Sequence, residues 1–102
     1  MEEQNEFQDF DNLNEQTEEQ VQVILLFGGT ILITRIAEVI SELGEPDCRL
    51  NKPYKITNSG EEMIPWMEQY TDNEEFMISS DKILTIVEPN NKLLEKYLEI
   101  TK

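Results

Sequence analysis

The strongest apolar signal in the chain runs from Val21 to Ile40, between a polar leader and a polar loop, and Gly28-Gly29 interrupts it. Its length suits a membrane span, but its glycine pair, its charges (Arg35 and Glu38) and its many β-branched residues argue for strands. The pattern predicts strands over 21–27 and 30–40, joined by a tight turn in which glycine supplies the positive φ. In the second strand, Ile31, Ile33, Arg35, Ala37 and Val39 alternate with Leu32, Thr34, Ile36, Glu38 and Ile40. Neither face is cleanly polar, as in strands that bend within small barrels.

Further along, 41–47 reads as a loop punctuated by Gly44 and Pro46, and 48–57 as a third strand. Pro53 requires an exposed edge or a bulge within that strand. Asn58-Ser59-Gly60 reads as a turn. A fourth strand is expected over 63–70, interrupted by the acidic stretch 71–75 and resumed at 76–78. Ser79–Lys82 is a polar turn before a compact fifth strand at 83–87. Pro89 ends the sheet, and Asn90 can cap a helix bearing Leu93, Leu94, Tyr97 and Leu98 on one stripe, with Lys92–Glu95 and Lys96–Glu99 pairs outside.

The expected fold is all-β: a small five-stranded, strongly bent antiparallel barrel over 21–88, with a C-terminal helix over 89–102. In the fifth strand Ile83, Thr85 and Val87 alternate with Leu84 and Ile86, so both faces want cover. A barrel covers one face, and the helix or a neighbouring subunit must cover the other. Self-association is therefore expected, with Ile83, Leu84, Ile86 and Val87 as candidate interface residues.

Charge refines this picture. Twenty-two acids against eight bases give −14, divided as −8 over 1–20, 0 over 21–60 and −6 over 61–102. The first segment has the composition of a flexible tail, although Phe7, Phe10 and Leu13 at three-residue spacing also suit a short helix that docks or binds a partner. Net acidity disfavours a generic basic nucleic-acid binder and an anionic membrane surface.

The chain has no histidine, which removes Ser-His-Asp and Cys-His chemistry, and Cys48 alone makes neither an internal disulfide nor a Cys-rich zinc site. The acidic clusters match no dedicated calcium loop. A non-enzymatic protein without a cofactor is expected. A lone cysteine and the acidic, polar start, Met1-Glu2-Glu3-Gln4, suit the cytoplasm rather than a secretory signal.

Two stretches resemble Sm and Sm-like proteins. Ile78-Ser79-Ser80-Asp81-Lys82-Ile83-Leu84-Thr85-Ile86 resembles the second Sm motif, whose pattern is Ile-Arg-Gly-Asn/Asp-Asn before a closing strand. Val23–Gly29 with the long bent strand is similar to the first motif, its loop falling at 41–47 and Cys48-Arg49-Leu50-Asn51 standing where the family often has Met-Asn. More narrowly, Lys82–Pro89 with Leu93–Leu98 resembles Sm-like proteins of apparent cyanophage origin found in marine metagenomes. The resemblance implies a ring built by pairing the fourth strand of one subunit with the fifth of the next. It also implies single-stranded RNA (or DNA) bound at pore-side loops by Asp47, Arg49, Asn51, Ser79, Ser80, Asp81 and Lys82. If phage-encoded, the protein would act in the host cytoplasm. Ser79-Ser80 replaces the Arg-Gly pair, and the capped helix expected after Pro89 is C-terminal rather than N-terminal.

The residues leave alternatives open. Arg35, Arg49, Lys52 and Lys55 could serve a nucleic acid on which Tyr54 stacks, or could simply solvate an exposed strand face. Trp66, Tyr70 and Phe76 read as packing aromatics more readily than as a stacking platform. Beside the nucleic-acid-binding ring stand a scaffold ring without nucleic acid and an acidic interaction protein.

Overall fold

The structure, a computed structural model, describes residues 19–102; the expected tail helix around Phe7–Leu13 lies outside them. Six strands, β1 (Gln20–Leu26), β2 (Ile31–Glu38), β3 (Cys48–Thr57), β4 (Glu62–Pro65), β5 (Glu75–Ile78) and β6 (Ile83–Val87), precede helix α1 (Asn91–Ile100). Single 3-10 turns occupy Asn58–Gly60 and Ser80–Lys82.

The β1–β2 hairpin turns where the glycines require it, with Gly28 and Gly29 at φ 94 and 95°. The Leu26 N–H donates to the Thr30 carbonyl at 2.9 Å. Pro53 lies in a bulge: β2 pairs Ile33 with Tyr54 but Arg35 with Asn51, so β3 carries one extra residue there. Lys52, at φ 54°, turns its N–H off the ladder to the Glu74 carbonyl, 2.6 Å away. The fourth strand is split, β4 pairing with the C-terminal half of β3 and β5 with its N-terminal half. The break comes at Trp66, earlier than the acidic residues suggest, because the chain turns at Pro65 and the Trp66 N–H donates to the Pro53 carbonyl.

All pairings are antiparallel, in the order β4-β3-β2-β1-β6, with β5 alongside β4 on the edge of β3. The sheet curls enough to gather Ile24, Leu26, Leu32 and Leu50 with Trp66, Phe76, Ile78 and Ile83 in one core. Among the described residues the sheet does not close into a barrel: β6 pairs only with β1, and the outer edges of β6 and β4/β5 take no strand partner.

The opposite face receives α1. The Asn90 carboxamide caps the helix by accepting the Leu93 N–H at 2.8 Å. Tyr97 is fully buried, its hydroxyl donating to the Lys52 carbonyl at 2.7 Å. Arg35 lies 5.3 Å from the Tyr97 ring centroid and donates to its hydroxyl and to Thr101 Oγ1, both at 3.4 Å. Burial pushes the Tyr97 hydroxyl pKa up, against the opposing pull of Arg35. The Lys92–Glu95 and Lys96–Glu99 pairs do not form: Lys96 reaches the Glu61 carbonyl instead, and Glu99 pairs with Lys102.

The helix covers β2 and β3 but not β6. A register shift between Leu25 and Leu26 takes up a residue of β6, so Ile83 and Ile86 share the inward face despite their three-residue spacing. The sequence alternation placed them on opposite faces. Leu84, Ile86 and Val87 stay 53, 51 and 49% exposed.

Candidate functional site

Two loops that lie far apart in sequence meet at the N-terminal end of β3. The extended Ser79 leads into the Ser80–Lys82 turn, which aims the Ser80 N–H at Asp47 Oδ1 (2.7 Å) while the Ser80 hydroxyl donates to Oδ2 (2.8 Å). Asp47 is fixed in turn by its own carbonyl, which accepts the Val39 N–H as β2 and β3 converge. The two Ser80 bonds stabilise the carboxylate and hold the Asp47 pKa below its ordinary value. Next to it Cys48 is buried, and desolvation, with the Asp47 charge beside it, pushes its thiol pKa up. Cys48 thus sits as a small core side chain, 4% exposed.

Arg49 and Asn51 follow on β3 with alternate spacing, on the face away from the core. The Arg49 Nε lies 3.3 Å from a Glu75 carboxylate oxygen and 3.7 Å from one of Glu19, buried but without hydrogen-bond alignment. The Asn51 side-chain amide donates to the other Glu19 oxygen at 3.4 Å. Its carbonyl accepts from the Thr34 and Tyr97 hydroxyls. Tyr54 packs edge-on against Tyr97, with ring centroids 5.9 Å apart, so its ring belongs to the helix contact. Asp81 and Lys82 are exposed, and the Lys82 carbonyl accepts the Phe27 N–H, tying this turn to the β1–β2 hairpin.

The structure therefore joins Asp47 to Ser80, leaves Ser79, Asp81 and Lys82 on the same turn, pairs Arg49 and Asn51 with acids, and places Tyr54 under α1. Of the candidate interface residues, Ile83 packs into the core while Leu84, Ile86 and Val87 stay about half exposed, Ile86 on the same face as Ile83. Sequence reasoning missed Glu19, grouping it with the acidic leader. Its position just before β1 was the available signal, since Gln20 pairs with Ile36 and the next antiparallel positions bring Glu19 to Ala37, the cross-strand partner of Arg49.

The arrangement offers hydrogen-bond donors, an exposed lysine (Lys82) and carboxylates held by Ser80 and Arg49. Among the described residues, His, Cys, Asp and Glu form no group of three or more fit to hold a metal ion, and no helix is long and apolar enough to cross a membrane.

Residues 19–102 match the model of a family of unknown function, DUF6561. The chain belongs to that family. The DUF6561 match takes in all six strands, the helix and both loops. No curated protein matches the chain.

Proposed function

We propose that this DUF6561 protein is a non-enzymatic Sm-like ring subunit that binds single-stranded RNA or DNA through the loops at 41–47 and 79–82. The observation that carries the reading is the Asp47–Ser80 clamp, which couples the two loops that the Sm resemblance assigns to the pore. The order β4-β3-β2-β1-β6, with β4 and β5 acting as one interrupted strand, supports it. So do the two free edges. The β6 edge and the β4/β5 edge are different surfaces, so pairing one with the other between copies is head-to-tail, the kind of contact that builds a ring when its rotation closes. Such pairing would cover Leu84, Ile86 and Val87. A ring repeats Lys82 once per subunit, so a pore can be locally positive within an acidic protein.

Titration of the assembled protein with fluorescent oligo-uridine and oligo-deoxythymidine at low salt tests the proposal. Saturable, salt-sensitive binding that weakens in Arg49→Ala and Lys82→Ala is expected; an assembled ring that binds neither strand defeats it. A second reading, a scaffold ring without nucleic acid, is favoured by one specific feature. Arg49 is already flanked by Glu19 and Glu75, leaving the loop pair short of free cations.

A further inference from the structure

The excursion between β4 and β5 builds a feature that the loop reading does not use. A cleft of about 320 Å³ opens beside it, walled by Lys55, Ile64, Trp66, Met67, Glu68 and Tyr70. Trp66, the only tryptophan of the chain, is anchored on its far side by Phe76, with ring centroids 5.3 Å apart. Tyr70 has no such cover and is 78% exposed. The turn that presents it is closely tied: the Tyr70 and Thr71 N–H groups both donate to the Met67 carbonyl, at 2.9 and 3.1 Å. Met67 is held at φ 67°, a left-handed conformation that strains a side-chain-bearing residue.

Charge selects the kind of occupant. Between 61 and 75 the chain carries Glu61, Glu62, Glu68, Asp72, Glu74 and Glu75 with no lysine or arginine. Within the wall Lys55 and Glu68 offset each other, while the chain segment that builds the cleft is otherwise acidic. Glu75 is paired with Arg49, whereas Glu68, Asp72 and Glu74 form no ion pair among the described residues. A nucleic-acid phosphate would meet repulsion here. A cation that also stacks on aromatic faces would meet attraction from both the rings and Glu68, and a guanidinium has both properties.

We infer that this cleft docks an arginine side chain from a basic, flexible segment of a partner protein, the guanidinium lying against Trp66 and Tyr70 with Glu68 beside it. The inference does not depend on nucleic acid at the loops.

Trp66 makes the test direct, because its fluorescence reports on the cleft itself. The full-length protein is titrated with end-capped hexa-arginine, hexalysine and hexaglutamate, with binding followed by calorimetry in parallel. Hexa-arginine is expected to shift the Trp66 emission saturably and to bind more tightly than hexalysine. Hexaglutamate should leave the emission unchanged. Tyr70→Ala, at an exposed position, should weaken hexa-arginine about two- to fivefold, and Glu68→Gln should weaken it in the same direction. Calorimetric binding without a Trp66 response would place the peptide elsewhere on the acidic surface and overturn the inference. Equal affinities for hexa-arginine and hexalysine, or an unchanged affinity in Tyr70→Ala, would also overturn it. So would a Trp66 response to oligo-uridine in place of hexa-arginine.

Discussion

Removing a single oxygen at Tyr97 should loosen the helix from the sheet. In Tyr97→Phe the ring keeps its place against Tyr54, and only the hydroxyl is lost. That hydroxyl is fully buried, bonds the Lys52 carbonyl at 2.7 Å and the Asn51 carbonyl at 3.3 Å, and accepts from Arg35 at 3.4 Å. Asn51 keeps a second bond from Thr34, but the Lys52 carbonyl, turned off the ladder at the bulge, loses its donor. A buried acceptor left unsatisfied costs about 1–3 kcal/mol, and the long Asn51 and Arg35 contacts add little, so a loss of about 1–2 kcal/mol is expected. At about 4–8 °C per kcal/mol for a domain of this size, the melting temperature should fall by about 5–15 °C. Tyr97→Ala also opens a cavity and should cost about 3–5 kcal/mol, a large share of the total stability of a small domain. Thermal melts followed by circular dichroism at one protein concentration measure both. A Tyr97→Phe melting temperature within about 1 °C of the parent would refute the reasoning, since the bulge carbonyl would then not depend on the hydroxyl.

Three further changes have defined outcomes. Glu19→Gln removes one of the two carboxylates on Arg49 and should tighten oligo-uridine binding by up to about fivefold, the ceiling for a partly exposed pair; Arg49→Ala should weaken it, and fluorescence anisotropy compares the two. Asp47 has a folded-state pKa below its ordinary value, so its contribution to stability is present above the unfolded-state pKa and is lost as the pH falls through the folded-state pKa. Asp47→Asn should therefore flatten the acid limb of a stability-against-pH curve measured by urea denaturation, and an unaltered limb would show that the clamp contributes nothing there. Gly60→Ala places a Cβ 3.3 Å from Leu93 Cδ2 at a residue with φ +92° and should cost about 1–2 kcal/mol, read as a lowered urea midpoint.

Much of this fold is legible in local chemistry. The glycine pair, the proline bulge, the split fourth strand and the Asn90 cap each follow from a residue whose backbone or side chain permits little else. The features that were not legible depend on registers spanning the chain. The β6 bulge that turns Ile83 and Ile86 to one face arises from pairing with β1, sixty residues earlier, and alternation within five residues cannot reveal it. Whether the sheet closes depends in the same way on strands at opposite ends of the chain. The candidate site divides along the same line. Asp47 and Ser80 were recognisable as loop residues, and the hydrogen bonds that join them come only with the fold, whereas Arg49 read as a free cation because its partners lie 30 and 26 residues away. Tyr54 read as a stacking ring because nothing in its own strand announces that Tyr97 will rest against it.

Native mass spectrometry of the full chain tests ring assembly most directly. Head-to-tail pairing of the β6 edge with the β4/β5 edge predicts one closed species, an integral multiple of 12.0 kDa containing more than two subunits. That species should break down when Ile86→Lys places a charge on the exposed strand. A monomer, or a dimer that persists on dilution, would contradict it.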